Sequence, residues 1–336
     1  MNAPRFGPLT LHVAIENFPL REPFSITGST MFDTDVVVVT LGKDGHSGRG
    51  EASGVDYRAE DAPGLVRQIE AVRTAIAAGL DRDALQRLLP IGGARNAVDC
   101  ALWDLEAKLA GRAAWQIAGL EPPRPLLTTF TVGANDPEKM AADARAYGQA
   151  RAIKMKLTGH AADADRVRAV RAARPDVWLC VDANQGFTPE SLASLMPALL
   201  AARVQLIEQP FPVGQEAKMD GLNAPIAFAA DESVQGLDDL PKLAGRFKVV
   251  NIKLDKCGGL TEGLRMARLA RQLGFEVMVG NMVGTSLAMA PAFLVGQLCS
   301  VVDLDGPVLL SRDRSNPIRY ENGEASCPDA LWGGAA

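Results

Sequence analysis

The spacing of apolar and polar residues changes once along this chain, at Pro122-Pro-Arg-Pro125. Ahead of that point, β-branched runs and turn signals predict antiparallel strands at Leu9–Phe18 and Asp35–Leu41. The second is built on Val36-Val-Val-Val39, and Lys43-Asp-Gly45 is a hairpin turn. Two loops are expected beside them: Arg21–Thr30, with its Pro, Gly and small polar residues, and Gly48–Gly54, a candidate mobile segment. Helical spacing follows at Ala62–Ala78 and Asp81–Leu89. It is strongest at Ala94–Ala110, where Ala97, Ala101, Leu102, Leu105 and Leu109 recur at helical intervals and Gly111 supplies the stop. A short helix is expected at Ala114–Ala118. Residues 1–120 therefore read as an α+β domain.

Beyond the prolines, strand-like runs alternate with helical ones. Strands are expected at Leu126–Val132, Ala152–Leu157, Trp178–Asn184, Val204–Gln209, Ile226–Asp231, Lys248–Leu254, Glu276–Gly280 and Ser300–Leu304. Helices start at Pro137, Ala162, Pro189, Thr261 and Ser286, with shorter ones near Gln215 and Leu237. Eight strands and seven helices in this rhythm predict an α/β fold, a modified (β/α)7β barrel of the TIM type, over residues 121–305. From Gly306 the chain is turn-rich and weakly β, without a core of its own. Residues 306–336 are expected to return to the N-terminal domain and complete it as a cap.

Charge falls at the strand ends of this alternation. In Ala152-Ile-Lys-Met-Lys-Leu157 side chains alternate faces, so Lys154 and Lys156 point one way and the apolar residues the other. Two ammonium groups on one face of an apolar strand need negative partners. Asp182, Glu208, Asp231 and Lys253 follow Lys156 at successive intervals of 26, 26, 23 and 22 residues. Asn184 shares a strand face with Asp182, and Asp303 with Asp305. In a β/α barrel all of these converge on one mouth, at the carboxyl ends of the strands. A single carboxylate at such a position also serves as a helix cap or a salt-bridge partner, and Lys43 and Lys256 read as solvated. Three carboxylates from three adjacent strands, however, call for a hard divalent cation such as Mg2+. Lysines on the second and sixth strands then face one another across the barrel, as two bases on opposite sides of a substrate. That suits proton abstraction next to a carboxylate, with the enolate stabilised by metal and ammonium. Burial and a neighbouring cation are expected to bring the Lys156 pKa down from ~10.4 towards the roughly 7–8 useful to a general base.

Composition narrows the partners. The net charge is −5, which argues against a nucleic-acid partner. No apolar run approaches the roughly 18–20 residues of a membrane span. Cys100, Cys180, Cys257, Cys299 and Cys327 are scattered and odd in number, and read as reduced, mostly buried thiols of a cytoplasmic protein.

These residues resemble the enolase superfamily, muconate-lactonizing subgroup. The resemblance spans nearly the whole chain and is carried by Lys154-Met-Lys156, Asp182-Ala-Asn184, Glu208-Gln-Pro210, Asp231-Glu-Ser233 and Asn251-Ile-Lys-Leu-Asp-Lys-Cys-Gly-Gly259. It implies that Asp182, Glu208 and Asp231 bind Mg2+, that Lys156 and Lys253 are the acid/base pair, and that Lys154 polarises the substrate carboxylate. It also makes a homo-oligomer an expectation. Asp303-Leu-Asp305 before Gly306-Pro307 looks like the dipeptide epimerases, particularly those acting on L-Ala-D/L-Glu in murein peptide recycling. Two carboxylates on the eighth strand would hold the α-ammonium of a dipeptide. The implied reaction is 1,1-proton transfer at the C-terminal residue. The other reactions of the subgroup are muconate cycloisomerase, o-succinylbenzoate synthase and N-acylamino acid racemase. A muconate or succinylbenzoate substrate has no ammonium for Asp303 and Asp305. An arginine is expected in the first cap loop to pair with a glutamate side chain, but residues 22–32 hold no Arg or Lys. Arg21 and Arg58 are the candidates to replace it.

Overall fold

The computed structural model of the protein describes residues 7–222 and 224–335. Its N-terminal sheet is antiparallel: β1 (Thr10–Ile26), β2 (Ser29–Lys43) and β3 (His46–Ala52) lie in that order. Both expected loops prove to be largely strand, apart from Thr27-Gly28 and Ser53-Gly54. Arg21–Thr30 is the far end of the β1–β2 hairpin, which turns only at Thr27-Gly28, with its register shift between Pro19 and Phe24 absorbing the proline-rich stretch. Gly48–Ala52 is buried strand rather than mobile loop. A Cβ on Gly48 would sit 2.3 Å from the Ala101 carbonyl oxygen, and one on Gly50 would sit 2.1 Å from that of Ala97. The glycines let the chain's longest helix lie directly on the strand. Gly50→Ala is therefore expected to destabilise the fold by at least the ~1–3 kcal/mol of an overpacked core, read as a fall in the urea midpoint.

Five helices complete the cap region: α1 (Ala62–Ala71), α2 (Arg73–Ala77), α3 (Arg82–Leu88), α4 (Gly93–Ala110) and α5 (Ala114–Ile117). The unbroken valine run of β2 follows from burial on both faces. Val37, Val39 and Leu41 join the cap core with Leu65, Ile69, Leu102 and Leu105, whereas Val36 and Val38 join the larger core shared with the barrel.

A two-residue strand, β4 (Leu126–Leu127), leads into the parallel sheet of β5 (Thr129–Val132), β6 (Ala152–Lys156), β7 (Trp178–Asp182), β8 (Leu206–Glu208), β9 (Ala227–Ala230), β10 (Val249–Ile252), β11 (Glu276–Val279) and β12 (Val301–Val302). Each strand pairs with the next in sequence order. The helices between them are α6 (Pro137–Ala146), α7 (Asp163–Ala173), α8 (Pro189–Ala201), α9 (Leu254–Cys257), α10 (Leu260–Gln272) and α11 (Ser286–Gly296), with 3-10 segments at Glu216–Met219 and Leu237–Leu243. Every residue of α11 is buried, because it is sandwiched between β11 and cap strand β3.

The barrel closes between β12 and β5 through side chains. Thr129 Oγ1 donates to Asp303 Oδ1 at 2.6 Å, the Thr131 amide to Asp305 Oδ2 at 2.6 Å, and the Leu304 amide to Thr128 Oγ1 at 3.0 Å. The C-terminal segment divides its contacts. After α12 (Gly306–Leu309), β13 (Arg319–Glu321) and β14 (Glu324–Ser326) form a small sheet with β4, so this stretch pairs with the barrel rather than the cap. The return to the cap is made by single residues. The Ser311 amide reaches the Pro19 carbonyl at 2.9 Å, Arg314 pairs with Glu51 at 2.7 Å, and Trp332 Nε1 donates to the Arg49 carbonyl at 2.9 Å. All five cysteines are free, and Cys100, Cys180 and Cys257 are buried. Among the described residues, no helix is long and apolar enough to cross a membrane.

Candidate active site

Parallel register sets the site out as a row. Lys156 pairs with Asp182 across β6 and β7, and Asp182 pairs with Glu208 across β7 and β8. Asp231 stands one residue past β9 and Lys253 one past β10. One carboxylate oxygen from each of Asp182, Glu208 and Asp231 lies within 4.8 Å of the others, and all three residues are buried. Lysines surround the triad. Lys154 Nζ lies 2.7 Å from Glu208 Oε2, 2.9 Å from Asp303 Oδ2 and 3.1 Å from Asp182 Oδ2. Lys156 Nζ is 2.7 Å from Asp182 on one flank, and Lys253 Nζ is 2.8 Å from Asp231 on the other.

The electrostatics are those of a site with surplus negative charge. Burial and then Asp182 push the Glu208 carboxyl up to about 8, against the pull of Lys154. Asp182 and Asp231 are desolvated too, but their lysine partners hold both well below the usual carboxylate range. Burial alone would lower the Lys253 ammonium, yet Asp231 and Glu208 outweigh it and raise it. Lys154 is raised in the same way by Asp303, Glu208 and Asp182. At Lys154 and Lys253 carboxylates are the charges that decide the direction of the shift. Glu208 Oε2 has the Lys154 ammonium close by but no hydrogen bond. Three buried oxygen donors, one carboxyl driven towards protonation and one oxygen left without a hydrogen bond fit a hard cation. The triad is positioned for a metal ion.

Lys256 corrects the sequence reading. It is 1% exposed, not solvated, and its ammonium bonds Asp231 Oδ1 at 2.5 Å, the Asp231 carbonyl at 2.6 Å and the Asn251 carbonyl at 3.0 Å. α9 folds it back under the triad, and only its place three residues after Lys253 hinted at this. Asn251 donates to Glu208 Oε1 at 2.9 Å. Glu232 and Tyr57 were also missed. Glu232 is buried beside Asp231, and Asn184 Nδ2 reaches its Oε1 at 3.4 Å. Tyr57, in a 3-10 turn of the cap (Asp56–Arg58), accepts from Gln235 Nε2 at 3.0 Å, and burial followed by the Asp231 charge raises its hydroxyl pKa.

The expected ammonium-binding pair is placed at the seam. Asp303 faces the mouth, sharing its carboxylate between Lys154 and Thr129. Asp305 caps the Thr131 amide, and burial and Asp303 push it up to about 7. Neither candidate arginine bonds a triad carboxylate, and both bond other protein groups. Arg21 Nε donates to the Leu310 carbonyl at 2.7 Å. Arg58 binds the carbonyls of Ile91 and Lys256 and pairs with Glu60 at 3.1 Å.

The cap covers the mouth at several points. Thr27 Oγ1, at the hairpin tip, donates to the Leu157 and Ala183 carbonyls at 2.8 and 3.1 Å. Ser53 Oγ bonds the Val283 carbonyl at 2.9 Å, and the Ser53 and Gly54 amides bond Asp255 Oδ1 at 3.0 and 3.2 Å. Burial pushes Asp255 up to about 7. Its folded pKa thus exceeds the unfolded ~3.9, so its contribution to stability is full below that value and is lost as pH rises through about 7. Urea midpoints of the wild type should fall relative to Asp255→Asn over that range. A constant difference would count against the buried acid.

Family comparison matches this geometry along the chain. Residues 9–119 match the mandelate racemase / muconate lactonizing enzyme N-terminal domain, and residues 138–332 match the enolase C-terminal domain-like family. The chain belongs to the mandelate racemase / muconate lactonizing enzyme family. Within it, the chain is 38% identical over 317 residues to an L-Ala-D/L-Glu epimerase of Escherichia coli (strain K12), covering 94% of this chain and 98% of the relative. It is 40% identical over 257 residues to an N-acetyl-D-glutamate racemase of a Pseudoalteromonas species, covering 76% and 81%. An enolase family member from Agrobacterium tumefaciens with homology to dipeptide epimerases, solved with sodium, L-Ala-L-Glu and an ordered loop, superposes with a TM-score of 0.94 at 42% identity, covering 97% of this chain and all of that one. Two solved dipeptide epimerases of this fold, from Enterococcus faecalis and Cytophaga hutchinsonii, are complexed with Mg. Epimerases and racemases are isomerases, and this member of the family is an isomerase.

Proposed function

We propose that the protein is a Mg2+-dependent dipeptide epimerase that inverts the α-carbon of the C-terminal residue, with L-Ala-L-Glu as the leading substrate. The observation that carries this reading is the placement of Lys156 and Lys253 on opposite flanks of one carboxylate triad. Asp182, Glu208 and Asp231 would hold the cation, which when bound supplies neutralisation of the negative charge that develops on the substrate carboxylate. The remaining work belongs to the chain. One lysine, as the free amine, takes the α-proton onto Nζ. The lysine on the opposite flank, as the ammonium, delivers a proton to the other face of the same carbon. Lys154 lies on the Glu208 side, where its ammonium can share the carboxylate charge. Asp303, with Asp305 beside it, would receive the α-ammonium of the dipeptide. The cap contacts exclude water from the mouth. Of the two arginines, Arg58 is the one bonded to the segment that follows Lys253, at the Lys256 carbonyl.

A second reading, N-acylamino acid racemase, is favoured by one observation. Asp303 and Asp305 already have partners in Lys154, Thr129 and Thr131, so they do not require a substrate ammonium. One experiment separates the two. In D2O with Mg2+, L-Ala-L-Glu is expected to gain one deuteron and yield the L,D product, and N-acetylglutamate is expected to remain unexchanged. Exchange of N-acetylglutamate alone would select the second reading. Exchange of neither would remove both.

A further inference from the structure

Five buried side-chain acceptors among the described residues lack a hydrogen bond, and four of them belong to the barrel mouth: Asn184 Oδ1, Glu208 Oε2, Glu232 Oε2 and Asn251 Oδ1. Glu208 is part of the triad and Asn251 supports it. Glu232 and Asn184 are different. Each stands just past a triad carboxylate, Glu232 next to Asp231 and Asn184 two residues beyond Asp182.

Their geometry looks built. The Asn184 amide group donates to Glu232 Oε1, since the reverse orientation would set two acceptors against each other. This leaves Asn184 Oδ1 and Glu232 Oε2 as neighbouring open acceptors. Glu232 is 5% exposed, and a buried carboxylate oxygen without a donor is costly. The backbone is bent to keep the pair in place. Asn184 and Gln185 both take left-handed conformations, with φ of 41° and 68°, and the Asn184 amide donates to Asp182 Oδ1 at 2.9 Å. The lysines are engaged elsewhere: Lys154, Lys156, Lys253 and Lys256 are each paired with a triad carboxylate, and none donates to either open atom.

Both open atoms are acceptors, and they border a site that fits a cation. Mg2+ usually keeps several waters, and water on a cation presents only donors to its surroundings. We infer that Glu232 and Asn184 are positioning residues that accept hydrogen bonds from water held by the cation, and so set how tightly and in what orientation that cation is bound. The inference rests on the metal-site reading above and extends it to residues outside the triad.

The test uses Mn2+ alone, with no dipeptide. Free Mn2+ is followed by electron paramagnetic resonance and bound water by proton relaxation, for the wild type, Glu232→Ala, Glu232→Gln and Asn184→Gly. Glycine at 184 keeps the left-handed backbone while removing the amide. Glu232→Ala and Asn184→Gly are expected to weaken Mn2+ binding by about 10-fold or more, as for other outer partners of a metal site, with the number of bound waters unchanged. Glu232→Gln, whose amide oxygen still accepts, should recover most of the affinity. Equal affinity in wild type, Glu232→Ala and Asn184→Gly would overturn the inference. So would a glutamine variant as weak as the alanine one, which would mean that charge alone matters. A gain of one bound water in Glu232→Ala would overturn it too, by making Glu232 a direct ligand. Failure of the wild type itself to bind Mn2+ would instead remove the metal reading, and the inference with it.

Discussion

Lys253→Ala is expected to lower epimerisation of an L,L-dipeptide by about 10²–10⁴-fold, the usual contribution of a general acid or base. No neighbour can substitute. Lys256, three residues on, has its ammonium fixed by Asp231 and by two carbonyls beneath the triad. Lys154 and Lys156 stand on the opposite flank. The defect should be one-sided. Lys156 can still take and return a proton at its own face, so one enantiomer should continue to exchange with D2O while no inverted product forms. Lys156→Ala should give the mirror pattern. Mass and chirality of the recovered dipeptide decide the matter, and inversion at the wild-type rate in either variant would refute the two-base arrangement.

Lys154→Met is expected to cause the largest loss of stability of any single substitution in the mouth. The lysine is buried within 3.1 Å of three carboxylates, so its removal leaves Asp182, Glu208 and Asp303 facing one another. Removing one member of a buried ion pair typically costs about 3–5 kcal/mol, which a small urea series would resolve. Saturating Mg2+ should restore part of the loss, because a cation in the triad replaces some of the missing charge. An unchanged midpoint without Mg2+ would show that the Lys154 ammonium does not hold these carboxylates together.

The parts of this molecule legible in its sequence are those where chemistry is repeated. The barrel followed from eight alternating runs, and the triad from charges at successive strand ends, because parallel register keeps Lys156, Asp182 and Glu208 level. What was not legible depends on contact between distant segments. Gly48 and Gly50 look like a loop until α4 is laid on them. Pro23 and Gly28 suggest a break in the hairpin, yet Thr27 at its tip is anchored to carbonyls of the barrel. Lys256 appeared solvated because local sequence does not reveal that α9 turns it inward. Arg21 and Arg58 are candidates by their proximity in sequence to the cap loops, and the sequence does not show that Arg21 bonds the Leu310 carbonyl or that Arg58 bonds Glu60 and the Ile91 and Lys256 carbonyls.

Asp303 is at once a stave pin and a pocket residue. It joins β12 to β5 through Thr129 and points its other oxygen at Lys154 in the mouth. On the proposed ammonium role, a change at this position that suits a new ligand also loosens the barrel seam. The hairpin tip is tied to the barrel wall at Thr27, through the Leu157 and Ala183 carbonyls. Lineages built on this scaffold should accordingly diversify first in the exposed residues of 22–32, sparing Thr27 and the buried Phe24, and keep the eighth strand's aspartates until a compensating change secures the seam.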